Sequence, residues 1–175
     1  MKHADLHLTQ LTDNQADGHA RVLEHLRQLS NDDLALRFGM ARVKDETLVS
    51  YVRGLSFERD VVLAIQDSLG NVVAIAHAAR YEVLLTTRRE ARAEVSFSVV
   101  PAHRGCGLAH LLMRAIIEAA AEAGIDRLCG QCVSANRPMR TVFAHSGWNI
   151  EVDSGEVVAA LTVRQHAPGI HVQTI

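Results

Sequence analysis

The sequence predicts an α+β fold in which helices flank a sheet of mixed strand direction. Short apolar segments alternate with segments whose apolar residues recur at helical spacing, and turn residues separate them without repeats or low-complexity linkers. Of the 175 residues, 48% are hydrophobic and 22% are charged, which is typical of one compact domain. We therefore predict a single domain over residues 1–165 and a loose tail over residues 166–175.

The first predicted elements are a strand and three helices. Alternating polarity predicts the strand over residues 6–11. Thr12 or Asp13 is suited to cap the first helix, because each side chain carries an oxygen that can accept a hydrogen bond from a free backbone N–H. A second helix is predicted to open near Ser30, and a third to span residues 46–55.

The remainder of the chain alternates strands and helices. Predicted strands cover residues 61–66, 72–83, 93–100 and 127–133, and two more flank the turn at residues 154–155. Predicted helices cover residues 107–123 and 138–146, and the charged segment 86–92 is predicted to be a connection.

A glycine-bearing turn between the predicted strand 93–100 and the helix 107–123 carries the main functional signal. Its residues are Arg104, Gly105, Cys106, Gly107, Leu108 and Ala109. The first N–H groups of a helix lack intrahelical partners and attract anions, and glycine has no Cβ to keep a pyrophosphate away from them. The spacing fits neither the nucleotide-binding P-loop nor the dinucleotide-binding pattern. The turn therefore predicts a site for another phosphate-bearing cofactor.

This turn and a later segment resemble the GNAT superfamily of N-acetyltransferases. Residues 104–109 match the pattern Gln/Arg-x-x-Gly-x-Gly/Ala, which is the acyl-CoA pyrophosphate signature of that family. Asn136 begins a segment, ending at Gly147-Trp148, that resembles the family's later motif. The resemblance implies a GNAT fold with a central, mixed, mostly antiparallel twisted sheet. It also implies acetyl-CoA as the co-substrate, with Asn136 and the turn among the residues that bind it.

A narrower resemblance concerns the acceptor. Residues 29–38, the pair Ala93-Glu94 and residues 136–139 are similar to the acetyltransferase domain of bacterial protein-lysine acetyltransferases. This similarity implies that a protein lysine is the acceptor and that Glu94 is the catalytic base. Many members of the wider family use a tyrosine as general acid at the position of Phe143, which has no proton to donate. The protein-lysine relatives lack that tyrosine as well.

Glu94 also fits the role of base on chemical grounds. A lysine amine has a pKa of about 10.4, so it must lose a proton before it attacks a thioester. Strand parity places Glu94 on one face with Ser96 and Ser98, and apolar neighbours would raise the pKa of Glu94 toward about 6–7. Glu94 could then act directly or through a water. The alternative is a carboxylate that faces solvent or pairs with Arg92.

The strand edge that precedes the turn is also expected to contact the cofactor. Backbone N–H groups of Val99 or Val100 can stabilise the oxyanion of the transition state where the strand splays from its neighbour. The same edge can pair with the amides of the pantetheine arm, as an added strand would. Arg104 can contact phosphate, with its backbone contributing more than its side chain.

Composition and cysteine content limit the classes of partner and of metal site that we expect. The net charge of −2 favours neither nucleic acid nor an anionic membrane surface as a partner. We find no apolar run long enough to span a membrane and no signal peptide, and we expect a cytoplasmic protein. Cys129 and Cys132 form a single C-x-x-C without a second ligand pair, so no metal site is predicted and buried strand cysteines are favoured.

Three functions are compatible with the residues alone. The first is acetylation of a protein lysine, and the second is acetylation of a small amine such as an amino acid, a polyamine or an aminoglycoside. The third is a non-catalytic acyl-CoA-binding sensor module. The oligomeric state, monomer or dimer, is left open by the sequence.

Overall fold

The computed structural model describes residues 6–12 and 17–163 of the chain. The strands in these ranges are β1 His7–Gln10, β2 Val61–Gln66, β3 Val72–Leu84, β4 Arg89–Val99, β5 Arg127–Val133, β6 Asn149–Asp153 and β7 Glu156–Thr162. The α-helices in these ranges are α1 Gly18–Arg27, α2 Asn31–Phe38, α3 Asp45–Arg53, α4 Leu108–Glu122 and α5 Arg137–His145. The predicted tail and the predicted cap Asp13 lie outside the described residues.

Two predicted boundaries are wrong, whereas the other described elements lie within a few residues of their predicted positions. Helix α1 follows Asp17 at its N-cap, so Thr12 does not cap it. Segment 86–92 is not wholly a connection, because β4 begins at Arg89 and continues a long antiparallel ladder with β3. The charged side chains are accommodated there because Glu90 forms ion pairs with its neighbours Arg88 and Arg92.

The sheet is mixed and mostly antiparallel, as expected. Its strand order is β1-β2-β3-β4-β5-β7-β6. Only the β4–β5 pair is parallel among the described strands, and it is short, covering Arg92–Glu94 against Arg127–Cys129. This parallel pair lies in the middle of the sheet. Because its pairing is short, the carboxyl ends of β4 and β5 separate beyond it.

Helices cover both faces of the sheet around β4. Helix α1 lies on the face of Ser98, to which its His25 is hydrogen-bonded. Helix α5 lies on the opposite face, where Phe143 packs against Gly130 of β5. Helix α4 covers the same face as α5 with a buried apolar stripe, formed by Leu108, Leu112, Met113, Ile116 and Ala120.

Candidate active site

The candidate site lies where β4 and β5 separate. The pairing of β4 with β3 continues to Val99, whereas its pairing with β5 ends at Glu94. Within the described ranges, residues 95–99 of β4 therefore have a neighbouring strand on one side only. A cleft of about 800 Å³ opens at this gap, lined by β4, α2, the turn 104–109 and the start of α5. Its size is that of a small-molecule or cofactor site.

The two predicted oxyanion donors differ in their availability. The Val100 N–H donates to the carbonyl oxygen of Val73 at 2.9 Å, so it is engaged within the sheet. Successive residues of an antiparallel strand direct their backbone groups to opposite sides. The backbone groups of Val99 therefore face away from β3 and toward the gap. In agreement, the Val99 carbonyl accepts a hydrogen bond from Nε of Arg104 at 3.1 Å.

The turn before α4 has the geometry of an anion site. Gly105 and Gly107 have φ angles of 73° and 80°, which favour glycine, and a Cβ added to either would meet nothing within 4 Å. Gly107 is the N-cap of α4 and has no side chain to satisfy the helix N-terminus. Among the described residues, no acceptor bonds to the N–H groups of residues 105–109. These free donors, together with the helix dipole, fit the pyrophosphate of a coenzyme A group.

Arg104 connects this turn to helix α2. Its Nη2 lies 2.6 Å from Oδ2 of Asp33, and its Nε bonds to Val99. Asp33 also forms a capping box with Ser30 at the start of α2. Burial would raise the pKa of Asp33, but the hydrogen bonds from Arg104 and Ser30 outweigh it and hold that pKa below its ordinary value. The Arg104 side chain thus has partners within the protein, which leaves the phosphate site to backbone donors.

Asn136 lies on the opposite wall of the cleft as the N-cap of α5. Its Oδ1 accepts a hydrogen bond from the Met139 N–H at 3.2 Å, and Pro138 lies in the first turn. The Nδ2 donor of Asn136 makes no hydrogen bond within the described part of the chain. Asn136 therefore combines a structural cap with a free donor that lines the cleft.

Phe143 lies at the bottom of the cleft in a tightly packed position. Its ring is 1% exposed and packs against Trp148 with 4.9 Å between ring centroids. A Cβ added to Gly130 would lie 2.5 Å from Cζ of Phe143 and 3.3 Å from Val95. The close approach of the ring to the β5 backbone therefore requires glycine at position 130.

Glu94 lies at the point where β4 and β5 separate and lines the cleft. It is exposed, so the expected apolar surroundings are not present. It forms no ion pair within the described residues, because Arg92 pairs with Glu90 instead. Of the two alternatives raised from the sequence, the solvent-facing position is the one observed, and the role of base stays a prediction.

Two histidines near β4, His77 and His103, have different surroundings. His103 lines the cleft, whereas His77 is buried beneath α3. The Nδ1 of His77 lies 2.7 Å from the Tyr51 hydroxyl, and its Nε2 lies 3.4 Å from Asp60. Burial and the charge of Arg37 lower the pKa of His77, although Asp60 opposes them. His77 therefore belongs to a buried polar network that links α3 to the sheet.

The C-x-x-C segment does not act as a pair. Cys129 and Cys132 are three residues apart on β5, so their side chains point to opposite faces of the sheet. Cys132 is buried, as expected, and burial raises the pKa of its thiol, but Cys129 is only half-buried. Over residues 6–12 and 17–163 there is no cluster of three metal-ligating side chains and no helix long and apolar enough to cross a membrane.

Sequence reasoning missed the residues that reach the cleft from other elements. Leu36, Asp33 and Arg37 of α2 line its wall, and Ser98 of β4 bonds to a buried histidine on α1. The Ser30–Asp33 spacing signals a capping box and hence a helix start. It carries no signal for the contact between Asp33 and Arg104, which are 71 positions apart.

The fold and the turn have matches among known proteins. A model of the acetyltransferase (GNAT) family matches residues 10–148. The structure is similar to the GNAT domain of S. lividans PAT, with 25% identity, a TM-score of 0.71 and 89% of each chain covered.

Two further solved structures share the fold at lower identity. The GNAT-family acetyltransferase from Streptococcus pneumoniae is 15% identical with a TM-score of 0.66, over 91% of this chain and 100% of that chain. YncA from Salmonella typhimurium, solved with its cofactor acetyl-CoA, is 20% identical with a TM-score of 0.64, over 92% of this chain and 96% of that chain.

The family match spans most of the chain and includes β4, the donor-bearing turn and α5. The gap between β4 and β5, the free N–H groups at residues 105–109 and the match all agree on one cofactor. The chain belongs to the acetyltransferase (GNAT) family and is an acetyltransferase that uses acetyl-CoA.

Proposed function

We propose that this enzyme transfers the acetyl group of acetyl-CoA to the amine of a protein lysine, by direct attack in a ternary complex. The observation that carries the choice of acceptor is the open position of Glu94 at the edge of the cleft. A base in a closed pocket would favour a small amine, whereas an exposed base leaves room for a large partner from which a lysine projects.

The sheet surface beside Glu94 supports a large acceptor. Cys129 of β5 is the register partner of Glu94, and Ala160 of β7 is the partner of Cys129, so these side chains form one row. In the neighbouring rows on the same face, Val133 and Val158 are 40% and 41% exposed. Helices α1 to α3 therefore leave this part of the face open, and a folded partner or peptide has room beside the base.

The coenzyme side of the reaction would use backbone groups. The free N–H groups of residues 105–109 would hold the pyrophosphate. The backbone groups that Val95, Phe97 and Val99 direct to the gap would pair with the pantetheine arm. The Val99 N–H would then stabilise the negative charge that develops on the thioester oxygen. When bound, acetyl-CoA supplies the activated acetyl group.

Glu94 would accept the proton that the lysine ammonium loses before attack. Five residues of strand separate Glu94 from Val99, which is about 16 Å between their Cα atoms. The proton would therefore travel through bridging water rather than directly. The amine nitrogen then bonds to the acetyl carbon as the carbon–sulfur bond breaks, and this nitrogen loses its second proton to the solvent. Phe143 has no proton to give, so the thiolate would leave as the anion and be protonated by solvent.

The comparisons add support for a protein acceptor. Residues 29–38, 93–94 and 136–139 resemble bacterial protein-lysine acetyltransferases, and the S. lividans PAT domain is among the similar structures. That likeness has 25% identity and covers 89% of this chain. It favours the protein lysine over the free amino acid, polyamine or aminoglycoside.

The test begins with calorimetric titration of the purified protein with acetyl-CoA and with free CoA. Micromolar binding of both supports the pyrophosphate role of the turn, and no binding overturns it. A panel of lysine peptides and small amines, compared by kcat/KM, then decides the acceptor. Faster turnover of lysine peptides than of any small amine supports the proposal. A small amine preferred by about tenfold or more, or about 1.4 kcal/mol in transition-state binding, contradicts it.

A further inference from the structure

A buried histidine holds the hydroxyl of Ser98 in the cleft wall. His25 of α1 is 0% exposed, and its Nε2 lies 2.8 Å from Oγ of Ser98. The other ring nitrogen, Nδ1, lies 3.0 Å from the carbonyl oxygen of Val72. Ser98 lines the cleft, so the pair connects the core of the protein to the site.

The direction of both hydrogen bonds follows from the chemistry of the partners. A carbonyl oxygen can only accept, so Nδ1 of His25 must carry the proton and donate it to Val72. Burial lowers the pKa of His25 to about 4; the hydrogen bond to Val72 acts against this, and the charge of Arg37 adds to it. The ring is therefore neutral near pH 7, and Nε2 accepts the hydroxyl proton of Ser98. The lone pairs of the Ser98 oxygen are left for the cleft.

Ser98 lies beside the part of the gap where an amine would approach the thioester. Ser98 directly precedes Val99, whose N–H faces the gap where the thioester would lie. Its side chain shares a sheet face with Glu94, which is four residues away, or about 13 Å between Cα atoms. Ser98 is therefore the nearer of the two polar groups to the reacting carbon.

We propose that Ser98 accepts a hydrogen bond from the attacking amine, and that His25 is a positioning residue that fixes the hydroxyl for this role. The inference rests on the proposed function. One N–H of the neutral amine donates to the Ser98 oxygen, and this orients the nitrogen lone pair toward the thioester carbon. No bond forms to Ser98, and the proton that the ammonium loses before attack still goes to Glu94 through water.

Ser96 provides a matched control for Ser98. It lines the cleft on the same strand and the same face, but makes no side-chain hydrogen bond within the described residues. The assay uses the lysine peptide that the wild type acetylates fastest. For Ser98→Ala we expect kcat/KM to fall by about ten- to a hundred-fold, as for one lost hydrogen bond to a group that gains charge. Ser96→Ala should fall by no more than about two-fold, as expected for a side chain without such a bond.

The affinity for acetyl-CoA and the acetylation state of Ser98 distinguish a hydrogen bond to the amine from a role in cofactor binding or as a nucleophile. The Kd of acetyl-CoA should be the same in Ser98→Ala and Ser96→Ala. Equal kcat/KM in the two variants overturns the proposal, as does a weaker acetyl-CoA Kd that accounts for the whole loss. Acetylated Ser98 in the wild type, detected by mass spectrometry after mixing with acetyl-CoA, also overturns it. Ser98→Thr keeps the hydroxyl and should retain most of the rate.

The role of His25 is tested by a double-mutant cycle. His25→Phe keeps the ring but removes the acceptor for the Ser98 hydroxyl, so kcat/KM should fall in the wild-type background. The same change in the Ser98→Ala background should cost little more, because the group that His25 positions is already gone. Equal losses in both backgrounds mean a purely structural effect and overturn the positioning role. Thermal unfolding of each variant verifies that it is folded.

The outcome for this inference is separable from that for the function. If the wild type acetylates no amine, the proposed function fails. If the wild type is active and the two serine variants behave alike, only the role of Ser98 fails.

Discussion

The two walls of the cleft differ in the groups that they present, which are backbone N–H groups on one wall and side chains on the other. On the coenzyme side, residues 104–109 present free backbone N–H groups at the start of α4. On the side where we propose that the acceptor binds, β4 and α2 present side chains, among them Glu94, Ser98 and Asp33. A backbone site depends on φ angles that few residues tolerate, whereas a side-chain site depends on groups brought together from distant elements. The two walls should therefore fail in different ways when they are mutated.

The largest expected effect is on the acceptor side. Glu94→Gln keeps the shape of the side chain but removes its basicity, and we expect kcat to fall by about 10²- to 10⁴-fold. The Kd of acetyl-CoA should not change, because Glu94 lies away from the turn. Glu151→Gln, on the exposed strand β6 three strands away, is the control and should retain full turnover. Unchanged turnover in Glu94→Gln would contradict the assignment of Glu94 as the base.

The next effect concerns the backbone wall. Gly107→Ala forces a residue with a Cβ into a left-handed conformation, which costs about 1–2 kcal/mol. Whether it strains or rotates the turn, we expect the Kd of acetyl-CoA to rise by about tenfold or more. Gly124→Ala is the control at the other end of α4, where φ is 68°. It should lower the thermal stability in the same way and leave the Kd unchanged. Similar Kd values for both variants would contradict the anion site.

A smaller effect is expected at the bottom of the cleft. Gly130→Ala places a methyl group 2.5 Å from the Phe143 ring, which is buried against Trp148 and has little room to move. We expect a loss of about 1–3 kcal/mol in the free energy of unfolding, measured with denaturant. The same change in a Phe143→Leu background should cost less, because the crowding ring is gone. Equal costs in both backgrounds would mean that the ring does not cause the strain.

The smallest effect concerns the ion pair that joins the two walls. Asp33→Asn weakens the contact with Arg104 and keeps an oxygen for Ser30, and should cost about 0.5–1 kcal/mol at pH 7 because the pair is partly exposed. The pKa of Asp33 is lowered in the folded state, so its contribution is present above the ordinary carboxyl value of about 3.9. That contribution disappears as the pH falls through the folded-state pKa. The difference in the free energy of unfolding between wild type and Asp33→Asn, measured from unfolding curves, should therefore be present at pH 7 and disappear in acid. A difference that stays constant with pH would exclude this pair as the cause.

Local patterns predicted most of the fold because the elements carry their own signals. The β2 and β5 strands were predicted over their observed ranges, and the helix before Gly124 within a residue at each end. The start of β4 at Arg89 depends on a partner elsewhere in the chain, because the ladder with β3 outweighs the charged composition of residues 89–92. Helix α1 starts after Asp17, which makes no side-chain cap, so the predicted capping residues at 12 and 13 were a poor guide to its start.

The candidate site also contains parts that local sequence patterns predict and parts that they do not. The strand, glycine turn and helix of the proposed coenzyme wall were predictable, because they are neighbours in sequence. The acceptor wall was predictable only for Glu94, through family resemblance, and even there the expected apolar surroundings were wrong. The backbone N–H of Val99, rather than that of Val100, faces the gap because of the register of β4 with β3. That register could not be predicted from the sequence.

The sequence by itself determined the class of fold, the family and the glycine turn for which we propose coenzyme binding, because each rests on residue types at short spacing. The tertiary structure alone decided the surroundings of Glu94 and Ser98. The gap between β4 and β5, the contact of Asp33 with Arg104 and the bond of His25 to Ser98 join residues tens of positions apart. Such contacts arise from how helices pack on the sheet, and packing is a property of the whole chain rather than of any segment.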